Sequence, residues 1–415
     1  MLITQVHLQN KQEKELCMKR LLKISFDLAL LSFIPILSWF CLSLIIDKNL
    51  INIFTLTYPI QFIWYILKSI FSTGANISKE KDKNENAVMS GIVLGSIIAF
   101  VIYGLLALNI EKYIRFMNMD VEFYKNFAIY SVLQLFIQLI FAFILEKLYY
   151  EEENTKANKY SIIFNILNFI ILIGTSLITK NQIVIISSTL ISILLFTLYI
   201  AVKTCNKFTF KINILNCIKY DSVELFNNIA FFFIFLFGLS NALEFGEEYA
   251  LALTFVALIT DTQWDTFDSI TTAAQIDISK NRFNYKEHRK NAYKLLGILL
   301  STVFLMFIIL FKFYDLNMKL TLIYFSFELI NFAIYPVYRI KTCYLQLEYS
   351  ALKTTTNKMI ASILRFLISL LPTPFCTGLG QVSSSIYQFI TIKFLFNKNY
   401  KLEENGVIKS RYEND

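Results

Sequence analysis

Apolar runs of about twenty residues alternate with short polar loops along almost the whole chain. A helix of about twenty apolar residues crosses the hydrocarbon core of a bilayer. The pattern therefore predicts about twelve membrane-spanning helices, namely Leu21–Ile46, Leu50–Ile77, Val88–Ile110, Tyr124–Tyr150, Ser161–Thr179, Gln182–Val202, Asp221–Leu243, Tyr249–Ile278, Asn291–Phe313, Lys319–Leu345, Met359–Leu371 and Gly380–Phe396. The expected fold class is an all-α integral membrane protein.

Composition supports this interpretation and narrows the function. The chain is 56% hydrophobic and 17% charged, whereas soluble domains carry about 25% charged residues. The predicted spans contain no His, the six Cys have no metal-ligand spacing, and no Gly-rich phosphate-binding loop is present. We therefore expect neither an enzyme nor a cofactor. The net charge of +8 lies mainly in loops, so no nucleic-acid partner is implied.

Loop charge predicts the orientation. Lys and Arg are concentrated in alternate loops, which places both termini in the cytoplasm of a multi-pass protein, expected in a bacterial cell membrane. The predicted organisation is a cytoplasmic leader (1–20), an N-lobe of six helices (21–202), a cytoplasmic linker (203–220), a C-lobe of six helices (221–397) and a cytoplasmic tail (398–415).

An internal repeat supports the two lobes. Trp64, Ser69, Ile70 and Ser72 recur as Trp264, Ser269, Ile270 and Thr272, each 200 positions later. A second region, around Asn158, recurs 199 positions later around Asn357. Two six-helix halves in parallel orientation imply a pseudo-twofold axis along the membrane normal.

The eighth predicted span carries an acidic stripe. Asp261, Asp265 and Asp268 fall at i, i+4 and i+7 and so share one helix face, which Thr272 and Gln275 extend. A carboxylate at the centre of a membrane helix costs roughly 2.5–3.5 kcal/mol. Such a cost is tolerated where the face lines a wet cavity or binds a cation. We interpret the stripe as the cation-coupling site of a transporter; the alternative is that the acids lie at a water interface.

The coupling ion stays open between H⁺ and Na⁺. Three carboxylates close together raise one another's proton affinity, so one of them could hold a proton near neutral pH. Equally, the carboxylates could form a Na⁺ site together with side-chain oxygens of Thr260, Gln263 or Asn241. No other metal site is expected.

Two loop segments resemble the multidrug and toxic compound extrusion (MATE) family. They are TGANISKEKDKNENA after the second span and TTAAQIDISKNRFNYKEHRKNA after the eighth. The segment LEKLYYEEENTKANKYSIIFNILN is similar to the turn between the family's fourth and fifth helices. The resemblance implies two pseudo-symmetric six-helix lobes and cation-coupled efflux. The acids that the family carries in its first and seventh helices are missing here, around Cys41 and Asn227.

The resemblance and the repeat together predict a substrate cleft between the second and eighth helices. Its expected residues are Gln61, Trp64, Tyr65, Lys68, Trp264, Thr272 and Gln275. Lys68 is expected to pair with Asp265 or Asp268, the alternative being that it reaches water within its own lobe. Glu328 and Asn331, one turn apart in the tenth span, form a possible second site or a helix-packing contact.

An acidic cleft with aromatic faces suits small cationic or amphipathic compounds. The sequence therefore predicts a monomeric secondary transporter in the lipid bilayer that exports such compounds by antiport with H⁺ or Na⁺ and alternating access. The alternatives are a flippase for a lipid-linked oligosaccharide, which would favour a basic cleft, and a dedicated exporter of a peptide or metabolite made by the host.

Overall fold

The structure is a computed structural model. It describes residues 36–151, 153–205, 210–220, 222–279, 283–311, 313–314, 316–403 and 406–410, together with Leu21, Ser25 and Ile34. The helices are α1 (Ile36–Ile45), α2 (Ile53–Lys68), α3 (Ala75–Lys81), α4 (Ala87–Leu108), α5 (Ile110–Phe116), α6 (Val121–Tyr150), α7 (Asn154–Ile178), α8 (Gln182–Thr204), α9 (Ile214–Tyr220), α10 (Ser222–Phe245), α11 (Glu247–Ser279), α12 (Tyr285–Phe311), α13 (Met318–Glu348), α14 (Ala351–Ser369) and α15 (Cys376–Asn399). A 3₁₀ turn (Lys48–Asn52) precedes α2 and a π-helical turn (Ser69–Gly74) follows it.

Eight helical segments of the described chain are long and apolar enough to cross a membrane, judged by length and composition. They are Lys48–Gly74, Ala87–Leu108, Val121–Leu148, Thr155–Ile178, Gln182–Thr204, Asn228–Phe245, Tyr285–Ile308 and Met318–Gln346. The other four predicted spans fall on α1, α11, α14 and α15. The predicted fold class, an all-α membrane protein, is confirmed.

Polar side chains define where several long helices begin. The Asn181 side chain accepts a hydrogen bond from the backbone N–H of Ile183 (3.0 Å) at the start of α8. Asn317 does the same for Leu320 at the start of α13, and Ser350 for Lys353 at the start of α14. Each cap satisfies a backbone donor that the helix itself leaves without an acceptor.

The described helices pack into two compact units. The first, which we call the 33–254 unit, comprises residues 33–254 and 372–374. In it, α6 packs against α2, α4 and α8. Rings of Phe141 on α6 and Phe164 on α7 stack with centroids 4.3 Å apart. Phe62 on α2 stacks on Phe235 of α10 (5.2 Å), so α10 also joins this unit.

Close helix packing in the 33–254 unit depends on a glycine of α4. A Cβ atom at Gly91 would collide with the carbonyl oxygen of Phe71 and would lie 2.9 Å from the Cβ of Ala75. Phe71 belongs to the π-helical turn and Ala75 begins α3. The absence of a side chain at Gly91 therefore lets α4 approach the backbone of that turn.

The second unit, which we call the 255–415 unit, comprises residues 1–32, 255–371 and 375–415. Its helix α15 packs against both α13 and α14. Where the sequence predicted only a polar tail at 398–415, α15 continues to Asn399 and a two-stranded antiparallel hairpin follows (Tyr400–Leu402 with Ile408–Ser410). The Tyr285 N–H donates to the Gly406 carbonyl (3.1 Å), which attaches the hairpin to the start of α12.

These two units do not share the boundaries of the predicted lobes. Helix α10 and the first residues of α11 belong to the 33–254 unit, whereas the predicted C-lobe (221–397) includes both. The lobes at 21–202 and 221–397 stay a prediction. One contact has the separation of the repeat: the hydroxyls of Thr55 and Thr254 are 2.8 Å apart and 199 positions apart in the chain.

Candidate functional site

A carboxylate lies within the helix bundle of the 255–415 unit. Glu328 is ten residues into α13, about 15 Å from its start and therefore near the middle of a membrane-spanning helix. Its Oε2 accepts hydrogen bonds from Trp264 Nε1 (3.1 Å) and from Gln381 Nε2 (3.0 Å). The two donors belong to α11 and α15, so the carboxylate connects three helices.

Gln381 extends this arrangement to a fourth helix. Its Oε1 accepts a hydrogen bond from an η-nitrogen of Arg365 on α14 (3.2 Å). Trp264, Glu328, Arg365 and Gln381 therefore form one hydrogen-bonded group, here called the Glu328 cluster. Neither Gln381 nor Arg365 is among the site residues predicted from the sequence.

Small residues and aromatic rings fix the geometry of the Glu328 cluster. A Cβ at Gly380 would lie 2.9 Å from the Arg365 carbonyl oxygen, so this glycine lets α15 approach α14 closely. The Trp264 ring packs against Phe332 and Tyr335 of α13, with centroids 5.0 and 5.1 Å away. These contacts hold the indole N–H towards the carboxylate.

Asn331 follows Glu328 by one helical turn and is fully buried. Neither its amide nitrogen nor its amide oxygen has a hydrogen-bond partner among the described residues. Gln263 Oε1 on α11 is also buried without a partner there. Buried amides normally find a partner, and those that do not are candidates for binding water or an ion. The predicted second site, Glu328 and Asn331, therefore contains a charged group and an unsatisfied amide, and its role stays a prediction.

A second charged group lies in the 33–254 unit. Lys68 Nζ on α2 is 2.7 Å from Glu146 Oε1 on α6, and both side chains are largely buried. The Ser72 hydroxyl donates to the other oxygen of Glu146. Lys68 also lies over the Trp64 ring, 5.2 Å from its centroid. We call Lys68, Ser72 and Glu146 the Glu146 cluster.

The Glu146 cluster gives Lys68 a partner that was not among the predicted site residues. Glu146 falls in the predicted span Tyr124–Tyr150, and α6, which continues to Tyr150, places its carboxylate inside the helix bundle. The described partner of Lys68 is therefore an acid of its own unit. The π-helical turn Ser69–Gly74 directly follows Lys68 and contains Ser72. Such turns interrupt the normal helical register and are frequent at functional sites.

The remaining predicted residues divide into two groups. Gln61, Trp64 and Tyr65 lie on α2 and are partly buried, with the two rings edge to face at 5.0 Å. The others fall on α11, whose backbone is helical from Glu247 to Ser279, but their side chains lie outside the described residues: Asp261, Asp265, Asp268, Thr272 and Gln275. The cation-coupling stripe, the substrate cleft and pairing of Lys68 with Asp265 or Asp268 stay predictions.

The chemistry available in the described part of the chain is that of single carboxylates. No group of three or more His, Cys, Asp or Glu that could hold a metal ion is found there. One carboxylate with hydrogen-bond donors can exchange a proton or join other oxygens around a monovalent cation.

The architecture defines an all-α membrane protein with the fold of MATE transporters. No protein-family model and no curated protein sequence matches the chain. A solved outward-facing multidrug resistance MATE family transporter of the MOP superfamily superposes with a TM-score of 0.61 at 14% identity, covering 92% of this chain and 96% of its own. The inward-facing conformation of such a transporter gives 0.64 at 13% identity, covering 92% and 98%.

A third solved structure is similar to the same extent. It is a MOP superfamily transporter from Pyrococcus furiosus Vc1 (DSM3638), described as having a binding pocket of reverse polarity that suggests a different function. Its TM-score is 0.61 at 14% identity, covering 91% of this chain and 96% of that one. At this identity the likeness establishes the fold. It confirms the resemblance to the MATE architecture that the loop segments indicated.

Proposed function

We propose that the protein is a secondary active transporter that exports small cationic or amphipathic compounds by antiport with H⁺ or Na⁺. The observation that carries this proposal is the Glu328 cluster. Within a fold used by multidrug transporters, a carboxylate near the middle of α13 receives hydrogen bonds from α11 and α15. Ionisable groups at membrane depth are costly and mark ion pathways by default.

The cluster offers a direct mechanism for coupling. Ionised Glu328 accepts two hydrogen bonds, and these become weaker when a proton or a cation neutralises the carboxylate. Trp264 and Gln381 are then held less firmly, so the packing of α11 and α15 against α13 depends on the occupancy of Glu328. A ligand shifts a conformational equilibrium only through such differential interactions. The three aspartates of α11 would add negative charge on the same helix as Trp264.

The polarity of the substrate site separates the candidate functions. The three aspartates favour a cationic substrate, whereas the charges of Lys68 and Arg365 within spans are the features that a lipid-linked anionic sugar would use. The reversed pocket polarity described for the Pyrococcus furiosus transporter is linked there to a different function. Transport of a lipid-linked oligosaccharide, or of a peptide or metabolite made by the host, is therefore the alternative outcome of the same test.

The test is uptake of a fluorescent organic cation into proteoliposomes, driven separately by a proton gradient and a Na⁺ gradient. Glu328→Gln keeps the shape and an acceptor oxygen but removes the charge, so we expect at least a tenfold loss of gradient-driven transport. Glu111 on α5 has a side chain that is 43% exposed, so Glu111→Gln is the matched control and should transport normally. Full activity of Glu328→Gln would refute the coupling role. No transport under either gradient by the folded protein would favour the alternatives.

A further inference from the structure

Three basic residues from three helices converge at one end of the 255–415 unit. Lys341 on α13 lies over two aromatic rings, with Nζ 5.5 Å from the Tyr285 centroid and 4.8 Å from the Phe396 centroid. Arg289 on α12 lies over the same Tyr285 ring at 5.7 Å. The charges of Arg289 and of Lys393 on α15 both act on Lys341. The two rings are buried and 6.2 Å apart, so they form a common floor for Arg289 and Lys341, whereas Lys393 lies over the Phe389 ring at 5.8 Å.

The local charge is not balanced by acids. No salt bridge in the described part of the chain includes Arg289, Lys341 or Lys393. Two acids of neighbouring elements are paired with other residues: Asp277 contacts His288 at 3.1 Å and Glu403 contacts Lys409 at 2.7 Å. Like charges held together without a counter-charge repel one another. A bound anion would remove this repulsion.

The position of the three cations in the fold indicates which kind of anion would bind there. Arg289 is at the start of α12, whereas Lys341 and Lys393 are near the ends of α13 and α15, and all three lie at the same end of the helix bundle. Exposed apolar side chains continue from them towards the middle of the spans: Tyr293 on α12, and Ile386 and Ile390 on α15. This order, cations first and apolar surface beyond, matches a lipid with its headgroup above its acyl chains.

We propose that Arg289, Lys341 and Lys393 form a binding site for the phosphate headgroup of an anionic membrane lipid. The buried rings of Tyr285 and Phe396 orient Lys341, and the exposed apolar faces of α12 and α15 accept the acyl chains. The preference for basic residues in cytoplasmic loops accounts for cations at this end of the helices. It does not account for the placement of both Arg289 and Lys341 over one pair of buried rings.

The experiment is native mass spectrometry of the purified protein with phosphatidylglycerol or phosphatidylcholine added. We expect selective retention of phosphatidylglycerol, with affinity falling about fivefold for each of Arg289→Gln, Lys341→Gln and Lys393→Gln. Lys319→Gln, at the opposite end of α13, is the matched control and should bind as the unmodified protein does. Lys341→Arg keeps the charge and should retain most of the affinity.

Three results would overturn the proposal. They are equal retention of both lipids, unchanged phosphatidylglycerol affinity in all three Gln variants, and displacement of the lipid by millimolar inorganic phosphate, which would indicate a site for a free anion. Each variant is a single exposed or half-exposed substitution, and its melting temperature without added lipid verifies that it folds. The measurement needs no transport, so it is independent of the proposed function.

Discussion

Two carboxylates within the helix bundles are stabilised in different ways. Glu146 has a direct ion pair with Lys68 and a hydroxyl donor from Ser72. Glu328 instead has two neutral donors, Trp264 and Gln381, with the positive charge of Arg365 one side chain further away. A carboxylate whose contact partners are neutral donors has no ion pair that an incoming proton or cation must break. This difference is the reason why we propose a structural role for Glu146 and the coupling role for Glu328.

The structural role of Glu146 predicts strong coupling between Lys68 and Glu146. Lys68→Met leaves a largely buried carboxylate without its cation and should lower the free energy of unfolding by roughly 1–3 kcal/mol. In the double variant Lys68→Met/Glu146→Gln no uncompensated charge remains, so much of that loss should be recovered. The measurement is a double-mutant cycle of unfolding in mixed micelles, with Glu146→Gln as the second single variant.

The ion pair of Lys125 with Glu111 is the matched control for that cycle. Both of its side chains are over two-fifths exposed. Exposed pairs contribute roughly 0.2–1 kcal/mol, so the coupling energy of this pair should be small. If the effects of Lys68→Met and Glu146→Gln on the free energy of unfolding are additive, the coupling energy of the buried pair is no larger than that of an exposed pair, which would contradict the structural role of Glu146.

At the scale of elements, α4 offers a comparison within one helix. Gly91 packs against Phe71 and Ala75, whereas a Cβ at Gly104 would have no atom within 4 Å. Gly91→Ala should force α4 away from the π-helical turn and destabilise the protein by about 1–3 kcal/mol. Gly104→Ala should be neutral or stabilising by up to about 1 kcal/mol, because Ala favours a helix more than Gly does. Melting temperatures of both variants measure the difference.

Equal melting temperatures for the two glycine variants would show that α4 does not depend on close approach at Gly91. A lower melting temperature for Gly91→Ala alone would in addition support the register of the π-helical turn, because the added Cβ would collide with the backbone of Phe71. Transport activity of Gly91→Ala at a temperature well below its melting point separates loss of folding from loss of function.

The helices themselves were predictable from hydrophobic periodicity and length. The predicted sixth span, Gln182–Val202, and observed α8, Gln182–Thr204, differ by two residues at one end. Three features were not predictable. The contact between Lys68 and Glu146 depends on packing of α2 against α6. The π-helical turn depends on packing of α4 on that turn. Gln381 is uncharged, and no periodic pattern in its span distinguishes it from its neighbours. Each of these is set by tertiary contacts that one sequence does not encode in its local pattern.

At the scale of the whole molecule, loop charge predicts one orientation. If both termini are cytoplasmic, as predicted, the linker at 203–220 is inside and the short loop around Lys180 is outside. Leu215 on α9 and Lys180 are both exposed, so a cysteine at either position can react from its own side. We therefore expect Lys180→Cys to react with a membrane-impermeant maleimide in intact cells, and Leu215→Cys to react in inverted vesicles.

The labelling experiment uses a background in which the native cysteines are replaced by alanine, so that each variant has one thiol. The cysteine-free protein should not react with the maleimide, and both single-cysteine variants should react after the cells are permeabilised. Among the described helices, only α8 lies between positions 180 and 215. Reaction of both thiols in intact cells would therefore mean that α8 does not cross the membrane, which would contradict the predicted topology. The reverse pattern, with only Leu215→Cys labelled in intact cells, would show that the orientation is opposite to the predicted one. The direction of export that the antiport mechanism requires would then also be reversed.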